Sequence, residues 1–569
     1  MARSKAMVYC CCALILLSVI AVIVYIVVTV SRCPPGTFSE AAVATDSGVC
    51  SRIGLCPPGT FSEAAVAADS GVCSRIGLDI IKSGGSAVDG AIAALLCTSV
   101  INPQSNGIGG GSIFTVMDSS GKVKVINSRE TVPRTFKPDL LSSCNDSRTG
   151  SEWIGVPGEI RGYEEAHRLY GKLPWAKLFE PTIKLAREGF PIPKMQGLHI
   201  FEVNKTQELR KFYSDKDGNL LKTGDTVKFE KLADTLETIA KDGADAFYSG
   251  RIAEDLIRDV QEAGGSLTLQ DLAEYNVTVS DALVVPLGEY QMHIPPPPAS
   301  GILLSFILNI MKGYQLNPAS LKGDQKILTY HRYIEALRFA NGLKTHIRDP
   351  KFTSPEIAKK FIEDSFADYV RGKISSNQTH DPQYYNITPY VDSLGTTHVS
   401  VLIKDGLAVS VTSTINHIFG SKIFSPNTGV ILNNQLADFC KTGDRISAGE
   451  KPSSSMAPTV LKSQSKTLVI GGAGRGKIVP GIASALMNHL WFGKSLEEAI
   501  AAPIVYVLAN NTVEFEAEFD QDVIKGLKAL GHEDKQERTF YNVVNAVEKD
   551  GCCISAASDG RKQGEAAGY

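Results

Sequence analysis

The chain has 569 residues with 58 basic and 61 acidic side chains, so its formal net charge is only -3. This even balance offers no basic surface for nucleic acid and no general attraction to anionic lipid, so a small-molecule partner is favoured. The length exceeds one ordinary domain, and no low-complexity linker divides the chain. We therefore predict one large body or two closely packed halves.

The first predicted element is an apolar run from Met7 to Val30 that contains no charged residue. In a helix this run is long enough to cross a hydrocarbon core of about 30 Å. A cleaved signal peptide is the competing interpretation, but the run is longer than the usual core of such peptides and no small-x-small site follows. We expect a retained signal anchor at residues 7–30, with residues 1–6 as a cytoplasmic tail.

Six Asn-x-Ser/Thr sequons follow the apolar run, at Asn145, Asn204, Asn276, Asn377, Asn386 and Asn510. Such sequons accept N-linked glycans in the secretory pathway. They predict a single-pass type II protein of the plasma membrane with an extracellular body. The twelve cysteines include no CxxC pair, which gives zinc and thioredoxin-like chemistry little support. We expect neither a metal nor a cofactor.

A 23-residue segment occurs twice in succession, as Cys33–Leu55 and Cys56–Leu78, and the copies differ only at Thr45 and Ala68. A repeat array needs at least three copies to stack a core, so two near-identical copies indicate a recent duplication or an error in the gene model. We expect the second copy to join the body and the first to form a stalk. Residues 31–78 together are assigned as this duplicated stalk segment, and the repeat is predicted to carry no chemistry.

Helices and strands alternate through the next part of the chain. Ser86 and Asp89 make an S-x-x-D start to an apolar helix through Leu96, and a glycine run from Gly107 to Gly111 follows. Further predicted elements are a strand over 122–127 and helices over 175–187, 302–311 with Ser300 as its cap, and 482–492.

A hairpin is the most informative predicted element. Two alternating stretches, 398–403 and 407–414, flank Asp405-Gly406, which is typical of a tight turn. Thr396 therefore lies at the leading end of a strand. A third apolar strand over 467–470 runs into a glycine-rich stretch.

Three common catalytic templates almost match and fail. Gly471–Lys477 has the spacing of a phosphate-binding loop, but Ile478 replaces the hydroxyl residue that would bind magnesium. His532 and Glu533 begin a zinc-protease motif, but Gln536 stands where the second histidine is needed. No G-x-S-x-G occurs, so a serine hydrolase elbow is absent from the sequence.

Several spaced motifs remain, and their order along the chain is informative. They are Leu394–Val401 (LGTTHVSV), Val125–Glu130 (VINSRE), Val156–Tyr163 (VPGEIRGY), Asn433-Asn434, Ser454–Thr459 (SSMAPT) and Ser558-Asp559 with Arg561-Lys562. Together they resemble the γ-glutamyl transferase family from about Phe61 to Tyr569. The runs 98–105, 153–163 and 295–299 look closest to its gamma-glutamyltransferase 5 branch, the leukotriene C4 and glutathione hydrolases.

This resemblance implies an N-terminal nucleophile (Ntn) hydrolase fold, an α/β four-layer αββα sandwich. It implies self-cleavage between Gly395 and Thr396, which leaves a heavy chain (79–395) and a light chain (396–569) as a heterodimer. Thr396 would then be the nucleophile, and its new α-amine, with a pKa of about 8, would be the base. Thr414 would hydrogen-bond the nucleophile. A disulfide between Cys73 and Cys97 is also implied, with two buried thiols as the alternative.

The same resemblance implies contacts to the substrate. The α-carboxylate is assigned to Arg129, Ser454 and Ser455, and the α-ammonium to Asn416, Gln435 and Asp438. The backbone amides of Gly474 and Arg475 would form the oxyanion hole. The family has glutamate where this chain has Gln435 and glycine where it has Arg475. An amide in place of the carboxylate predicts donor binding weaker by roughly 1–2 kcal/mol.

Two functions are predicted from this pattern. The first is an extracellular hydrolase or transferase that cleaves the γ-glutamyl amide of glutathione, its S-conjugates and leukotriene C4 through a γ-glutamyl-threonine ester. Water, an amino acid or a dipeptide would be the acceptor. The second, motivated by Gln435 and Arg475, is a catalytically weakened family member that acts as a membrane-anchored binding glycoprotein.

Overall fold

A computed structural model of the chain describes residues 60–144, 148–387, 395–441, 446–508, 510–536 and 542–569. The predicted anchor at residues 7–30, the first copy of the repeat and the sequon at Asn145 lie outside these residues. Within the described ranges, no helix combines the length and the apolar character that crossing a membrane requires.

Strands and helices are numbered here in chain order. The strands are β1 (Ala64–Ala68), β2 (Gly111–Met117), β3 (Val123–Asn127), β4 (Phe190–Pro191), β5 (Thr226–Val227), β6 (Thr278–Asp281), β7 (Leu283–Leu287), β8 (Tyr290–Ile294), β9 (Thr397–Ile403), β10 (Ala408–Thr414), β11 (Thr459–Lys462), β12 (Lys466–Ala473), β13 (Val505–Val507), β14 (Val513–Phe515), β15 (Asp534–Gln536), β16 (Val543–Asp550), β17 (Cys553–Ala557) and β18 (Glu565–Gly568). The helices are α1 (Gly71–Lys82), α2 (Ala87–Ile101), α3 (Glu159–Tyr170), α4 (Trp175–Glu188), α5 (Lys194–Gly197), α6 (Gln207–Phe212), α7 (Glu230–Asp242), α8 (Asp245–Tyr248), α9 (Gly250–Glu262), α10 (Leu269–Ala273), α11 (Gly301–Lys312), α12 (Gly323–Leu343), α13 (Glu356–Lys360), α14 (Asp364–Arg371), α15 (Ile478–Leu490), α16 (Leu496–Ala501) and α17 (Gln521–Ala529).

Two antiparallel sheets face each other at the centre of the molecule. The larger has the order β18-β1-β9-β10-β2-β3-β6, and the smaller has the order β17-β16-β12-β11-β8-β7. Small and branched side chains such as Ala67, Leu402, Val469 and Val547 fill the space between them. Helices α1 to α3 cover the outer face of the larger sheet, and α11 and α15 cover that of the smaller. The αββα layering predicted above is therefore present.

Strands β9 and β10 are buried along their whole length, because one face meets the helix layer and the other meets the second sheet. Polar side chains on such strands need internal partners. The ring of His398 contacts the hydroxyls of Thr412 at 2.8 Å and Ser400 at 3.0 Å. A Cβ on Gly471 would lie 2.1 Å from this ring, so the close approach of the two sheets requires glycine there.

Most predicted elements near the site are confirmed, and two boundaries differ. Ser86 and Asp89 form a complete capping box at the start of α2. The hairpin around Asp405-Gly406 is β9–β10. Strand β12 continues to Ala473, so its glycines extend the strand. Helix α15 begins at Ile478 rather than 482, because Pro480 lies in the first turn, where its missing N–H has no helical partner to lose.

Two other predictions need correction. Ser300 precedes α11 as expected, but its hydroxyl does not cap the helix and instead donates to the carbonyl of Ser454 at 2.6 Å. The second copy of the repeat forms β1 and the start of α1, and β1 is buried between β18 and β9. The second copy therefore joins the body as expected, and the body begins before residue 79, the predicted start of its heavy chain.

Candidate active site

Thr396 immediately precedes β9 and is only 2% exposed. Its hydroxyl donates to the carbonyl oxygen of Gly395. Thr414, at the end of the paired strand, donates to the same oxygen at 2.8 Å, and the two threonine Oγ1 atoms are 3.4 Å apart. The amide of Asn416 donates to Thr414 Oγ1 at 2.9 Å, which orients that hydroxyl. Two hydroxyl groups therefore donate to the carbonyl oxygen of the peptide bond that is predicted to be cleaved.

Gly395 has a conformation that only glycine adopts easily. Its φ is 141°, and a Cβ built there would lie 2.6 Å from the carbonyl oxygen of Asn416. Both facts disfavour any side chain at this position. The glycine before Thr396 is therefore required by the local backbone as well as by the motif.

A buried ion pair holds the other side of Thr396. Lys562 donates to the Thr396 carbonyl and pairs with Asp69 at 2.9 Å, and Asp69 also accepts the Thr397 hydroxyl at 2.9 Å. Asp69 lies in the second copy of the repeat, so this copy contributes a buried ion pair to the surroundings of Thr396, which was not expected. An acidic residue directly after an apolar strand is the signal that could have indicated it.

His398, two residues after Thr396 on β9, is a neutral group. Burial lowers the pKa of its imidazole to about 3. Both ring nitrogens contact hydroxyls of the hairpin, as described above. His398 therefore positions the strands and has no free nitrogen for proton transfer to Thr396.

The predicted substrate contacts form a charged cluster around Asp438, which lies in the 3-10 turn Gln435–Lys441. One carboxylate oxygen of Asp438 accepts Arg129 at 2.5 Å and Gln435 at 2.6 Å. The other accepts Arg475 at 2.8 Å. Asp438 and its three partners are at most 4% exposed. Two guanidinium groups and an amide thus surround one carboxylate.

Arg129 also reaches the loop that contains the predicted serines. Its Nε donates to the carbonyl of Pro452 at 2.8 Å and its Nη2 to that of Ser453 at 2.9 Å. The hydroxyl of Ser454 accepts the amide of Met456 at 3.1 Å, and Ser455 is half-buried. The structure therefore brings Arg129 to this loop through backbone carbonyls rather than through the serine hydroxyls.

Gly474 and Arg475 connect β12 to α15. Their φ values are 117° and 52°, so Arg475 keeps a left-handed conformation that costs a non-glycine residue roughly 1–2 kcal/mol. Its side chain turns into the charged cluster, where Nη2 also donates to the Asn416 side-chain oxygen at 2.7 Å. The backbone of the predicted oxyanion hole thus keeps a glycine-like shape, while its side chain enters the predicted ammonium site.

Two more titratable groups adjoin Arg129 and were not assigned a role from the sequence. Burial raises the pKa of the Glu130 carboxyl to about 7 and lowers the pKa of the Lys451 ammonium to about 7. Lys451 donates to the Arg129 carbonyl at 2.7 Å and to the Tyr275 hydroxyl at 3.1 Å. The charge beside Arg129 therefore changes near neutral pH.

Two disulfides have both of their cysteines within the described residues. The predicted Cys73–Cys97 bond is present, with an S–S distance of 2.05 Å. A second bond, Cys144–Cys440, was not predicted, because its cysteines lie 296 positions apart and belong to no spacing motif. It joins the chain before Gly395 to the chain after it, and it anchors the turn that carries Asp438.

A cavity of about 1250 Å³ opens beside Gly474. Its walls include the apolar side chains of Ile418, Phe424 and Leu508. Two lysines of the lining, Lys422 and Lys477, pair with glutamates of the same lining, Glu202 and Glu514. Pockets for drug-sized ligands are usually smaller, at roughly 300–1,000 Å³. The cavity therefore has room for a bulky, partly apolar group next to the predicted oxyanion hole.

His331, Glu335 and His532 are the group of possible metal ligands among the described residues. Their donor atoms already have partners: the two imidazoles meet at 2.7 Å, and Glu335 accepts Arg338 at 2.8 Å and Tyr385 at 2.7 Å. This cluster is a satisfied hydrogen-bond network that ties α12 to the later part of the chain.

Comparison with known proteins gives consistent matches. A family model described as Gamma-glutamyltranspeptidase matches residues 73–569. The "Glutathione hydrolase 5 proenzyme" of Rattus norvegicus is 44% identical over 565 aligned residues, covering 95% of this chain and 94% of the rat protein. The crystal structure of cephalosporin acylase from Bacillus halodurans superposes with a TM-score of 0.80 at 22% identity, covering 94% of this chain and 99% of the acylase. Helicobacter pylori gamma-glutamyltranspeptidase superposes with a TM-score of 0.51 at 27% identity, covering 55% of this chain and 92% of that structure. These matches agree with the predicted Ntn-hydrolase fold.

Proposed function

The chain belongs to the gamma-glutamyltranspeptidase family, and from this premise we propose that it is a glutathione hydrolase that cuts itself before Thr396 and then uses Thr396 as its nucleophile. The observation that carries the proposal is the group formed by the hydroxyls of Thr396 and Thr414 and the carbonyl of Gly395. It supports self-cleavage because a nucleophile, a hydrogen-bond donor and a glycine with a strained φ meet at one peptide bond.

Self-cleavage would begin with attack of Thr396 Oγ1 on the Gly395 carbonyl carbon. The Thr414 hydroxyl donates to the carbonyl oxygen and would stabilise the negative charge that develops there. As the new C–O bond forms, the C–N bond breaks, and the hydroxyl proton ends on the released amine of Thr396. Water then hydrolyses the ester, leaving Gly395 with a carboxylate and Thr396 with a free amine and hydroxyl.

In the mature protein the Thr396 amine, with a pKa of about 8, would accept the proton of its own hydroxyl. The hydroxyl would attack the γ-carbonyl of the donor, the amide bond would break, and the leaving amine would take up the proton. The backbone amides of Gly474 and Arg475 would bind the oxyanion. Water, an amino acid or a dipeptide would then release the γ-glutamyl group from the threonine ester.

The donor's free end would lie in the charged cluster. Arg129, Ser454 and Ser455 are proposed for the α-carboxylate. Asn416, Asp438 and Gln435 are proposed for the α-ammonium. The side-chain oxygen of Gln435 is buried and has no hydrogen-bond partner among the described residues, which supports a donor from the substrate at this point.

The cavity beside Gly474 supports a broad range of leaving groups. Its apolar walls would take the S-substituent of a glutathione conjugate or the lipid chain of leukotriene C4. We therefore propose glutathione, its S-conjugates and leukotriene C4 as donors.

An extracellular location at the plasma membrane is proposed from three features. Five of the six sequon asparagines fall within the described residues, and all five are exposed: Asn204, Asn276, Asn377, Asn386 and Asn510. The disulfides Cys73–Cys97 and Cys144–Cys440 suit an oxidising compartment. The apolar run at residues 7–30 would hold the body at the membrane as a type II anchor.

A second candidate function is favoured by Arg475. Because its guanidinium contacts two of the three groups proposed for the donor's ammonium, the protein would bind γ-glutamyl donors weakly and serve as an anchored binding glycoprotein. This candidate predicts little or no turnover by a correctly folded chain.

The test is electrophoresis under reducing conditions together with turnover of a γ-glutamyl anilide. Reductant is required because Cys144–Cys440 would hold the two chains together. The parent should split into two chains and turn over the anilide, Thr396→Ser should do both more slowly, and Thr396→Ala should do neither. A Thr396→Ala chain that still splits contradicts the proposal, and a folded parent that splits but turns over nothing supports the second candidate.

A further inference from the structure

The Arg475 guanidinium occupies a defined position in the proposed donor pocket. One nitrogen, Nη2, donates both to the Asn416 side-chain oxygen at 2.7 Å and to Asp438 at 2.8 Å. These are two of the three acceptors proposed for the donor's α-ammonium. A buried cation of the chain itself therefore makes the hydrogen bonds that a substrate ammonium would make.

Of the three proposed acceptors, Gln435 keeps a side-chain oxygen that has no hydrogen-bond partner among the described residues, whereas Asn416 and Asp438 are engaged. The other oxygen of Asp438 already accepts Arg129 and Gln435. An incoming ammonium would have to displace Arg475 from both Asn416 and Asp438. Displacement would leave a buried guanidinium without these two partners, which is costly in a poorly solvated site.

Charge counting leads in the same direction. Among the described side chains that pair within the cluster, Arg129 and Arg475 carry two positive charges and Asp438 carries one negative charge, an excess of one positive charge. Beside Arg129, Glu130 adds a negative charge only above its pKa of about 7, and Lys451, whose pKa burial lowers to about 7, adds a positive charge below that pH. A donor with a carboxylate and no ammonium brings one negative charge, which neutralises the excess positive charge of the cluster. A zwitterionic γ-glutamyl end has no net charge and leaves that excess in place.

We propose that Arg475 is a specificity-determining residue that stands in place of the donor's α-ammonium and turns the site toward acyl donors without a charge at that carbon. The chemical class is the glutaryl monoamides, which share the γ-carbonyl and the distal carboxylate of a γ-glutamyl donor but lack its amine. The inference rests on the donor pocket described under the proposed function.

Binding of two free acids tests this inference without turnover. L-Glutamate and glutarate differ only in the α-ammonium, and calorimetry on the full purified chain gives both dissociation constants. The parent should bind glutarate more tightly. Arg475→Gly should improve L-glutamate binding by about tenfold or more, because a charge-assisted hydrogen bond becomes available, and should change glutarate binding much less.

Two further variants distinguish the effect of the Arg475 charge from the effect of its side-chain volume. Arg475→Gln keeps much of the side-chain length without the charge and should shift the preference toward L-glutamate as Arg475→Gly does. If only Arg475→Gly shifts it, the electrostatic explanation is overturned. Arg251→Gly, a change at an exposed arginine at the start of α9, is the matched control and should keep the parental preference.

Turnover of γ-glutamyl and glutaryl anilides by the same proteins separates this inference from the proposed function. Arg475→Gly should raise the ratio of kcat/KM for the two donors in favour of γ-glutamyl by about tenfold, mainly through KM. A parent that turns over nothing but keeps its acid preference contradicts the proposed function alone. An unchanged preference in Arg475→Gly, or no binding of either acid, overturns the inference.

Discussion

The two ends of the proposed active site are built in different ways. The end that contains the proposed nucleophile has uncharged groups, Thr396, Thr414 and the neutral His398, at its centre, and the paired backbone of β9 and β10 holds them. The buried Asp69–Lys562 ion pair contacts this end only from the side of the Thr396 carbonyl. The donor end consists of Arg129, Asp438 and Arg475, which come from separate segments and pair with one another.

This difference decides what a local motif can predict. Hairpin register places residues on facing strands at fixed distances, so the hydroxyls at the nucleophile end follow from the backbone. Charged side chains from distant segments pair with whichever group of opposite charge the tertiary structure places beside them. One substitution, the arginine at position 475, can therefore fill the donor end while the nucleophile end stays intact.

The largest expected effect is at the nucleophile end, for Thr414→Val. Valine keeps the shape of threonine but removes the hydroxyl that donates to the Gly395 carbonyl. Loss of one donor to a developing oxyanion typically slows a reaction by about 10²–10³-fold. Self-cleavage, followed on reducing gels over time after expression, should slow by this amount.

Thr412→Val is the matched control on the same strand. Its hydroxyl contacts His398 and not the cleaved carbonyl. This variant should be less stable but should still cleave itself at a rate within a few-fold of the parent. Cleavage of Thr414→Val at the parental rate would mean that the hydroxyl does not act on this carbonyl.

Acid should weaken the uncharged end before the charged one. The folded pKa of His398 is about 3, below its ordinary value of 6.5, so its contribution to stability is present above pH 6.5 and is lost as the pH falls. Between pH 6.5 and 5 this amounts to about 1.5 kcal/mol of unfolding free energy. His398→Gln lacks this imidazole, so between pH 6.5 and 5 its unfolding free energy should fall by about 1.5 kcal/mol less than that of the parent.

Glu130 acts in the opposite direction. Its folded pKa of about 7 lies above its ordinary 4.5, so protonation below pH 7 stabilises the fold. This contribution is common to both proteins and cancels in the difference between parent and His398→Gln. Equal losses in the two proteins, measured by denaturant unfolding at both pH values, would show that His398 is not the acid-sensitive group.

A smaller effect is expected from Gln435→Glu at the donor end. From sequence alone, Gln435→Glu should improve donor binding in any background. In the structure the Gln435 amide donates to Asp438, and a carboxylate there would lose that bond and hold Arg475 more tightly. We therefore expect KM for a γ-glutamyl anilide not to fall in Gln435→Glu.

The same change should have the opposite consequence once Arg475 is removed. In Arg475→Gly, Gln435→Glu should lower KM by about tenfold, because the donor ammonium gains a charged acceptor. The four proteins form a double-mutant cycle. An equal change of KM in both backgrounds would rule out coupling between the two residues.

The smallest expected kinetic effect concerns the disulfide that anchors the donor end. Replacing both Cys144 and Cys440 with serine frees the turn that carries Asp438, so KM should rise several-fold with little change in kcat. On gels without reductant, the self-cleaved parent should run as one band.

Replacement of Cys73 and Cys97 is the control, since both lie before the cleavage point. This variant should still run as one band without reductant. A parent that separates into two bands without reductant would show that Cys144 and Cys440 are not joined in the mature protein.

The sequence predicted what depends on local pattern or on family resemblance. It predicted the hairpin, the pair Thr396 and Thr414, the αββα layers and the Cys73–Cys97 bond. It did not predict the pairing of Asp69 with Lys562, because contacts between the two ends of the chain appear only once the sheet brings β1 and β18 together.

The sequence predicted which residues lie together at the proposed donor end, but it did not predict their contacts. Arg129, Asn416, Gln435 and Asp438 do lie together. The direction of the Arg475 side chain was not foreseen, because its left-handed backbone and its partners depend on segments far along the chain. The same reason explains why the Ser454 hydroxyl meets a backbone amide instead of Arg129.

Mass spectrometry of the purified protein tests the central claim most directly. After reduction, the protein should yield a light chain that begins at Thr396. After brief incubation with a γ-glutamyl donor and an acid quench, it predicts that the peptide beginning with Thr396 gains the mass of one γ-glutamyl group. An uncleaved chain, a different new N-terminus, or a γ-glutamyl group on any other residue would contradict the account.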